Sequence, residues 1–378
     1  MDVQKHLNQL ESTGLISLAD VDPDIEYLFR HALVQDAAYG SLLRQDRADL
    51  HRLVGEALER LYPKPTNDVA RVLGRHFEQA GDMKRALKYF IKAGDADADI
   101  YANVEAIAFY EQALTLTQKE PALIDSEQLI NLYLRCGRAL ELNVEHNKAL
   151  TLYQTMVRVA QDRNDLSMEL AALMAQATIR AIFTPVQNSD EGQTLAERAL
   201  QLAEDLNDYE AKAKTLLILM LVNVGRDEHV QAVEFGERSL AIAREHNLTE
   251  QIAYTLNDIQ FSYQSTGRLD KARQVLDEAH GLWRTLDNIP MLTDNLSRKT
   301  FANYFAGDFE KVLSASDEAF QLSQATNNLW GMGFSRYILG PVYMDQGEFG
   351  KTLQLFDDVL GLTNMSHLVS SLAIFRVY

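Results

Sequence analysis

The chain of 378 residues has a single cysteine, Cys136. No disulfide can form within it, and the composition fits a reducing compartment. No stretch reaches 18 consecutive apolar residues. The longest candidate, 216–222, has the length of a buried helix face, not of a membrane span. The opening string MDVQKHLNQLESTG lacks the apolar core of a signal peptide. These absences point to a cytoplasmic protein without a membrane partner. Three N-x-[ST] sites, at Asn247, Asn295 and Asn364, then read as chance matches. Positive charge is in deficit, with 36 Lys and Arg against 54 Asp and Glu and a net charge of −18. Such a surface repels phosphate backbones, which argues against a nucleic-acid partner.

Catalytic motifs are missing as well. There is no H-E-x-x-H, no C-x-x-C and no G-x-S-x-G. The nine histidines contain no i, i+4 pair, so no metal site is expected. Gly350-Lys351-Thr352 imitates the tail of a phosphate-binding loop, but Asp345 stands where its first glycine is required. Cys136 reads as a buried, inert thiol. Carboxylate pairs such as Asp357-Asp358 and Glu204-Asp205 read as solvated helix faces. The chain is expected not to be an enzyme and to hold no cofactor of its own.

What is present is a ruler. Gly192, Ala232, Ala272, Val312 and Thr352 lie 40 residues apart, and Ala106 and Ala149 extend the series upstream in steps of 43. A fixed period of this size marks a repeat solenoid, in which each unit buries its apolar face against its neighbours. The block 339–362 places Leu339-Gly340, Tyr343, Gly347, Phe349, Thr352 and Phe356 in the order of a tetratricopeptide repeat. In such a pair the small residue of the second helix lets the first approach, and the large residue one turn on fills the next layer. Gly74, Phe77, Gly81, Ala86 and Phe90 form another copy. Ala106, Tyr110 and Ala113 mark a second, Gly137, Leu140, Ala149 and Tyr153 a third, and Gly267, Ala272, Leu276 and Ala279 a later one. Gly81, Gly225, Gly267, Gly307 and Gly347 suit left-handed turns. Asp125, Asp165 and Thr249 suit helix N-caps.

The expected fold is all-α, a right-handed tetratricopeptide-repeat superhelical solenoid of about eight helix pairs over 63–378. A further helix is expected from about Met365. The pair around 95–116 looks irregular, with a short first helix. A period of 40, against 34 for the common repeat, adds just under one turn to each helix. Long-helix repeats of this kind resemble those of MalT-like regulators and kinesin light chains. The apolar string SSLAIFRVY at the end reads as a truncated solenoid, open to self-association through that surface.

Residues 1–62 do not follow the period. A helix over 2–12, strands over 15–18 and 25–30 around Asp20-Val21-Asp22-Pro23-Asp24, and helices over 32–43 and 47–61 are expected. This is the order of the end of a winged-helix unit. The string YLFRHALVQDAAYGSLLRQDRADLHRLVGEALE resembles the junction in bacterial STAND-type signalling ATPases, where a winged helix precedes a tetratricopeptide sensor. Many proteins with such a junction carry a class III adenylate/guanylate cyclase domain upstream. The resemblance implies a nucleotide-binding module ahead of Met1, with ATP or ADP as the cofactor of the longer protein. It also implies that His31, in Phe29-Arg30-His31-Ala32-Leu33, is a nucleotide sensor. Ala32 departs from the aspartate found after this histidine in eukaryotic resistance proteins.

The first helix of each tetratricopeptide pair lines the concave groove. Counting back from the turns gives Arg71, Arg75, Arg135, Arg138, Asn257, Phe261, Gln264, Phe301, Tyr304 and Tyr337 as lining residues. The Lys and Asn carboxylate clamp of chaperone-binding repeats is missing, because the equivalent pairs are Asn257/Phe261, Ser297/Phe301 and Tyr337/Pro341. Two functions fit. One is a non-catalytic sensor arm that binds a protein, peptide or small ligand in its groove, or the upstream ATPase in cis, and so regulates that ATPase. The other is a constitutive scaffold for protein-protein interaction.

Overall fold

A computed structural model describes residues 3–20, 26–326 and 328–363. They form two compact units, 1–145 and 146–378. Almost everything is helical, in consecutive antiparallel helices joined by short turns.

The first unit opens with α1 (Val3–Ser12), the strands β1 (Ile16–Asp20) and β2 (Glu26–Phe29), and α2 (Ala32–Ser41) and α3 (Arg44–Leu61). The strands pair antiparallel, with Ile16 opposite Phe29 and Leu18 opposite Tyr27, as the alternation of apolar residues requires. The expected turn at 21–25 lies outside the described residues. α4 (Asn67–Gln79), α5 (Met83–Asp99), α6 (Asn103–Lys119), the short 3₁₀ turn η1 (Pro121–Leu123) and α7 (Ser126–Leu142) complete this unit.

The irregular pair expected near residue 95 has a simple cause. α5 is one unbroken helix of 17 residues, not a short first helix. It serves twice. On one side the ring of Phe90 lies over Gly74 of α4, and a Cβ at that glycine would stand 2.6 Å from the ring. On the other side Tyr110 of α6 lies over Gly94 of α5 with the same 2.6 Å clearance. Both pairs place a glycine sixteen residues before a buried aromatic. α5 is thus the second helix of one pair and the first helix of the next.

The second unit holds α8 (His146–Arg163), α9 (Leu166–Ala181), α10 (Ser189–Asp205), α11 (Tyr209–Gly225), α12 (His229–Glu245), α13 (Thr249–Ser265), α14 (Leu269–Thr285), α15 (Ile289–Phe305), α16 (Phe309–Ala325), α17 (Leu329–Tyr337), α18 (Leu339–Asp345) and α19 (Phe349–Thr363). From α10 to α16 every helix has 17 residues and every turn has three, so one helix and its turn fill 20 residues and one pair fills 40. The central turn residue is left-handed each time. Asn207, Asp227, Asn247, Gly267, Asp287 and Gly307 have φ between 52° and 76°. The next turn residue then donates its N–H to the carbonyl five positions back, as in Asp208 to Ala203 (2.9 Å), Arg268 to Tyr263 (2.8 Å) and Asp308 to Asn303 (3.0 Å).

Two expectations need correction here. Gly225 is the last residue of α11, and Asp227 takes the left-handed position instead, two residues on. Asp and Asn tolerate that region better than other side chains, so glycine is not required there. Thr249 is the first residue of α13, and the N-cap before it is Leu248, which has no capping side chain. Asp125 and Asp165 do cap, accepting from the N–H groups of Gln128 (2.8 Å) and Met168 (2.9 Å). The last first-helix of the unit is broken into α17 and α18, because Pro341 has no N–H to offer the carbonyl of Tyr337. The helix expected from Met365 and the apolar end lie outside the described residues.

The core follows the ruler. Ala86, Ala106, Ala149, Ala232, Ala272 and Val312 are at most 1% exposed. In the second unit the core continues from Met220, Leu256 and Ile259 to Trp283 and Leu296. No helix among the described residues is long and apolar enough to cross a membrane.

Glycines at closest approach and glycines in the open should respond oppositely to the same change. Gly94→Ala drives a methyl into the Tyr110 ring, which is buried and tethered through its hydroxyl to Asp95 (2.8 Å). A loss of about 1–3 kcal/mol is expected in denaturant unfolding. Gly281→Ala in α14 meets nothing within 4 Å, and should raise stability by about 0.5–1 kcal/mol through helix propensity.

Candidate ligand face

The arginines expected to line a groove in the first unit largely serve the protein itself. Arg71 of α4 is ion-paired to Asp97 of α5, which is 0% exposed and also accepts from Asn67 Nδ2 at 2.6 Å. The guanidinium lies over Phe109, 5.5 Å from the ring centre. A carboxylate buried this deeply is tolerable only because it is paired, and its partner is fixed in turn. Arg135 of α7 reaches Asp95 at 2.8 Å. Arg138 pairs with Glu141 one turn away, at 3.2 Å. Arg75 is exposed on α4. His31 stands at the N-cap position of α2, exposed, without a hydrogen bond from its side chain to the helix.

Three residues on α2, α3 and α4 form a hydrogen-bonded chain that no motif in the sequence announces. The Tyr39 hydroxyl is 2.9 Å from His51 Nε2, and His51 Nδ1 is 2.9 Å from His76 Nδ1. Two ring nitrogens at that distance share one proton. Burial lowers the pKa of both histidines, and the nearby His51 lowers that of His76 further.

In the second unit, α13 and α15 present residues on a common face. Asp258 and Phe261 lie one turn apart on α13, and Asp294, Arg298 and Phe301 lie one turn apart on α15. Arg298 spans the helices, with Nε 2.7 Å from Asp294 and Nη2 2.9 Å from Asp258. Asn257 Nδ2 donates to Asp294 at 2.7 Å, and Asn295 Nδ2 donates to Asn257 Oδ1 at 3.0 Å. Desolvation raises the pKa of the Asp258 carboxyl, with Arg298 opposing and Asp294 reinforcing the shift. Burial alone would lower the pKa of Arg298, but its two carboxylates outweigh that and raise it. Two carboxylates around one guanidinium leave a net negative charge on a partly exposed face.

Aromatic rings flank this cluster. Phe261 is 45% exposed and meets His229 edge-on. Phe301 lies 6.1 Å from Phe334. Gln264 is half-buried, and the Tyr304 hydroxyl donates to Asp345 at 2.8 Å. Two nominated residues do not line this face. Asn257 is 1% exposed and acts from beneath as a hydrogen-bonding support, and Tyr337 is buried against Phe356. Counting from the turns does not tell which side of a helix its neighbours cover.

Asp258, Asp294 and Arg298 are absent from the residues expected to line the groove. A signal for them exists, because Asp258 and Arg298 occupy the same ruler position 40 residues apart, with opposite charge. Cys136 is fully buried, and burial pushes its thiol up to about 12.

No family model matches the chain. An uncharacterised protein of Rhizobium meliloti (strain 1021) is 30% identical over 154 residues, which cover 40% of this chain and 15% of the relative. The chain therefore matches only a small part of that relative's length. Among solved structures, the Rap conjugation gene regulator of the plasmid pLS20 in complex with the Phr* peptide superposes with a TM-score of 0.58 at 10% identity, over 85% of this chain and 95% of the other. A Rap protein complexed with competence and sporulation factor gives 0.55 at 12% identity, over 88% and 97%. A signal transduction ATPase with numerous domains and a tetratricopeptide repeat sensor, from Pyrococcus horikoshii, gives 0.51 at 16% identity, over 98% of this chain and 59% of that one. The fold is that of tetratricopeptide-like repeat solenoids. At such identities the likeness establishes the fold alone.

Two measurements test the internal roles given to charged residues. Arg71→Ala strands the Asp97 carboxylate in the α4–α5 interface and should cost about 3 kcal/mol in unfolding free energy. The histidine pair sets a pH dependence. Both pKa values are lowered in the folded chain, so their contribution to stability is complete above the ordinary value of 6.5 and is lost as pH falls through it toward the folded values. The melting midpoint should fall between pH 7 and pH 5, and less steeply in His76→Gln.

Proposed function

We propose that the chain is a non-catalytic, ligand-binding regulatory arm whose second unit binds a protein or peptide segment along the α13–α15 face. The observation that carries this reading is the Asp258–Arg298–Asp294 cluster beside Phe261 and Phe301. Partly buried charges are costly unless they support the fold or await a partner. Here Arg298 is shared between both carboxylates, so the cluster keeps one negative charge in excess. An exposed ring, Phe261, and a half-buried one, Phe301, beside such a group suit an apolar side chain next to a basic one. The bound segment is therefore expected to present Lys or Arg beside an apolar residue. The Rap regulator of plasmid pLS20, solved with the Phr* peptide on the same fold, supports a peptide as the ligand.

The regulatory role rests on the junction at 27–59 and on the likeness to a solved ATPase with a tetratricopeptide sensor. In this reading residues 1–62 are the end of a winged-helix unit and 63–378 the sensor. An upstream ATPase module is the controlled element, working in the cytoplasm, and His31 reports on its nucleotide. Ligand binding shifts the arm between two dockings and so changes nucleotide exchange.

Selection of peptides from a random display library against the chain tests the binding step. Peptides carrying a basic residue next to an apolar one are expected, and Phe261→Ala with Arg298→Gln should alter their affinity about tenfold or more. Enrichment of acidic peptides, or affinities indifferent to both changes, would remove the assignment. A P-loop encoded upstream of Met1 in the same reading frame is the expected companion of the regulatory role.

A further inference from the structure

The first unit contains a cleft of about 550 Å³ between α5 and α7, closed at one end by η1. Lys84, Leu87, Lys88 and Ile91 of α5 form one wall, and Gln128, Asn131, Leu132 and Arg135 of α7 form the other. Leu123 and Ile124 close the apolar floor begun by Leu87, Ile91 and Leu132.

The charge of this cleft opposes that of the chain. It is lined by Lys84, Arg85, Lys88 and Arg135 and by no Asp or Glu, in a protein of net charge −18. The arginines are held by acids outside the lining. Arg85 pairs with Asp82 (2.7 Å), Glu59 (3.2 Å) and Glu56 (3.3 Å), and Arg135 pairs with Asp95 (2.8 Å). Lys84 and Lys88, exposed one turn apart at the mouth, have no such carboxylate among the described residues, although Lys88 Nζ lies 4.9 Å from the centre of the Tyr89 ring. The cleft therefore combines an apolar floor, amides at Gln128 and Asn131, and two lysines whose charge is not compensated nearby.

We propose that the α5–α7 cleft binds a small amphipathic carboxylate, with its anionic group at Lys84 and Lys88 and its apolar body on Leu87, Ile91, Leu123, Ile124 and Leu132. The volume falls in the range of small-molecule sites, and the few polar groups placed at one edge are what orients such a ligand. Like-signed side chains at the mouth concentrate anions against the repulsion of the surrounding acidic surface. This site is independent of the α13–α15 face, and either assignment can fail without the other.

The test uses the full chain with decanoate as the probe and decanol as its neutral counterpart, read by displacement of the fluorescent anion 8-anilinonaphthalene-1-sulfonate. Saturable displacement by decanoate at one site is expected, weaker in high salt, with little effect of decanol at equal concentration. Lys84→Glu with Lys88→Glu should weaken decanoate about tenfold or more at an unchanged melting midpoint, since both side chains are exposed. Leu123→Asp, on the short η1 turn, should weaken it through the floor and checks the site by a second route. Equal binding of decanoate and decanol, or binding unaffected by either variant, would overturn the proposal. So would a leucine- and glutamate-containing peptide that competes at these residues more tightly than decanoate, which would make the cleft a peptide site.

Discussion

One constraint governs α10 to α16: a helix may run for 17 residues and must then turn through a single left-handed residue. That residue carries the cost of its backbone conformation, lowest for glycine and small for Asn and Asp. In return it closes the end of the helix, because the N–H beyond it reaches back five residues to a carbonyl that would otherwise lose its partner. Since the interval never changes from α10 to α16, the phase of each helix is inherited by the one two places later. Asp258 and Arg298 stand at one height on neighbouring first helices for this reason, and so do the outer pairs Arg244–Glu278 (2.6 Å) and Arg284–Glu318 (2.9 Å), both displaced by 40 residues. A deletion of one residue in any of these helices would rotate every later face by about 100°.

In the first unit the phase is set by close approach. Glycine under an aromatic ring brings α4 to α5 and α5 to α6 at the same separation, and a single helix can then present two different faces to two partners. That arrangement requires α5 to be buried on two sides while a third remains open, and the open side becomes one wall of the cationic cleft. Val144, near the end of this unit, is left-handed although β-branched, a conformation that costs about 1–2 kcal/mol.

The polar chemistry of the molecule is organised by what must be neutralised internally. Asp97, Asp95 and Asp294 each take arginine or amide partners from another helix, and these pairs lock neighbouring helices in register. Arginines that a one-dimensional reading would place in solvent are engaged in this way. Charge that this pairing does not cancel stays at two places: one negative charge in the Asp258–Arg298–Asp294 cluster of one unit, and Lys84 and Lys88 in the other.

The period, the all-helical class, the hairpin near residue 20 and the burial of the small ruler residues were legible in the sequence, since periodicity records directly which side of each helix faces its neighbours. Turn positions were legible to within two residues, as Gly225 and Asp227 show, because several residue types tolerate the left-handed region. Which charges pair was not legible. Arg71 and Asp97 are 26 residues apart and Asp258 and Arg298 are 40 apart, and only the packing of one helix against another decides whether such groups meet or face water. The sequence by itself determined the repeat and its length, through the spacing of small and large side chains. The tertiary structure alone decided which polar groups are spent on holding helices together and which stay at the surface, because that depends on distances across turns that periodicity does not encode.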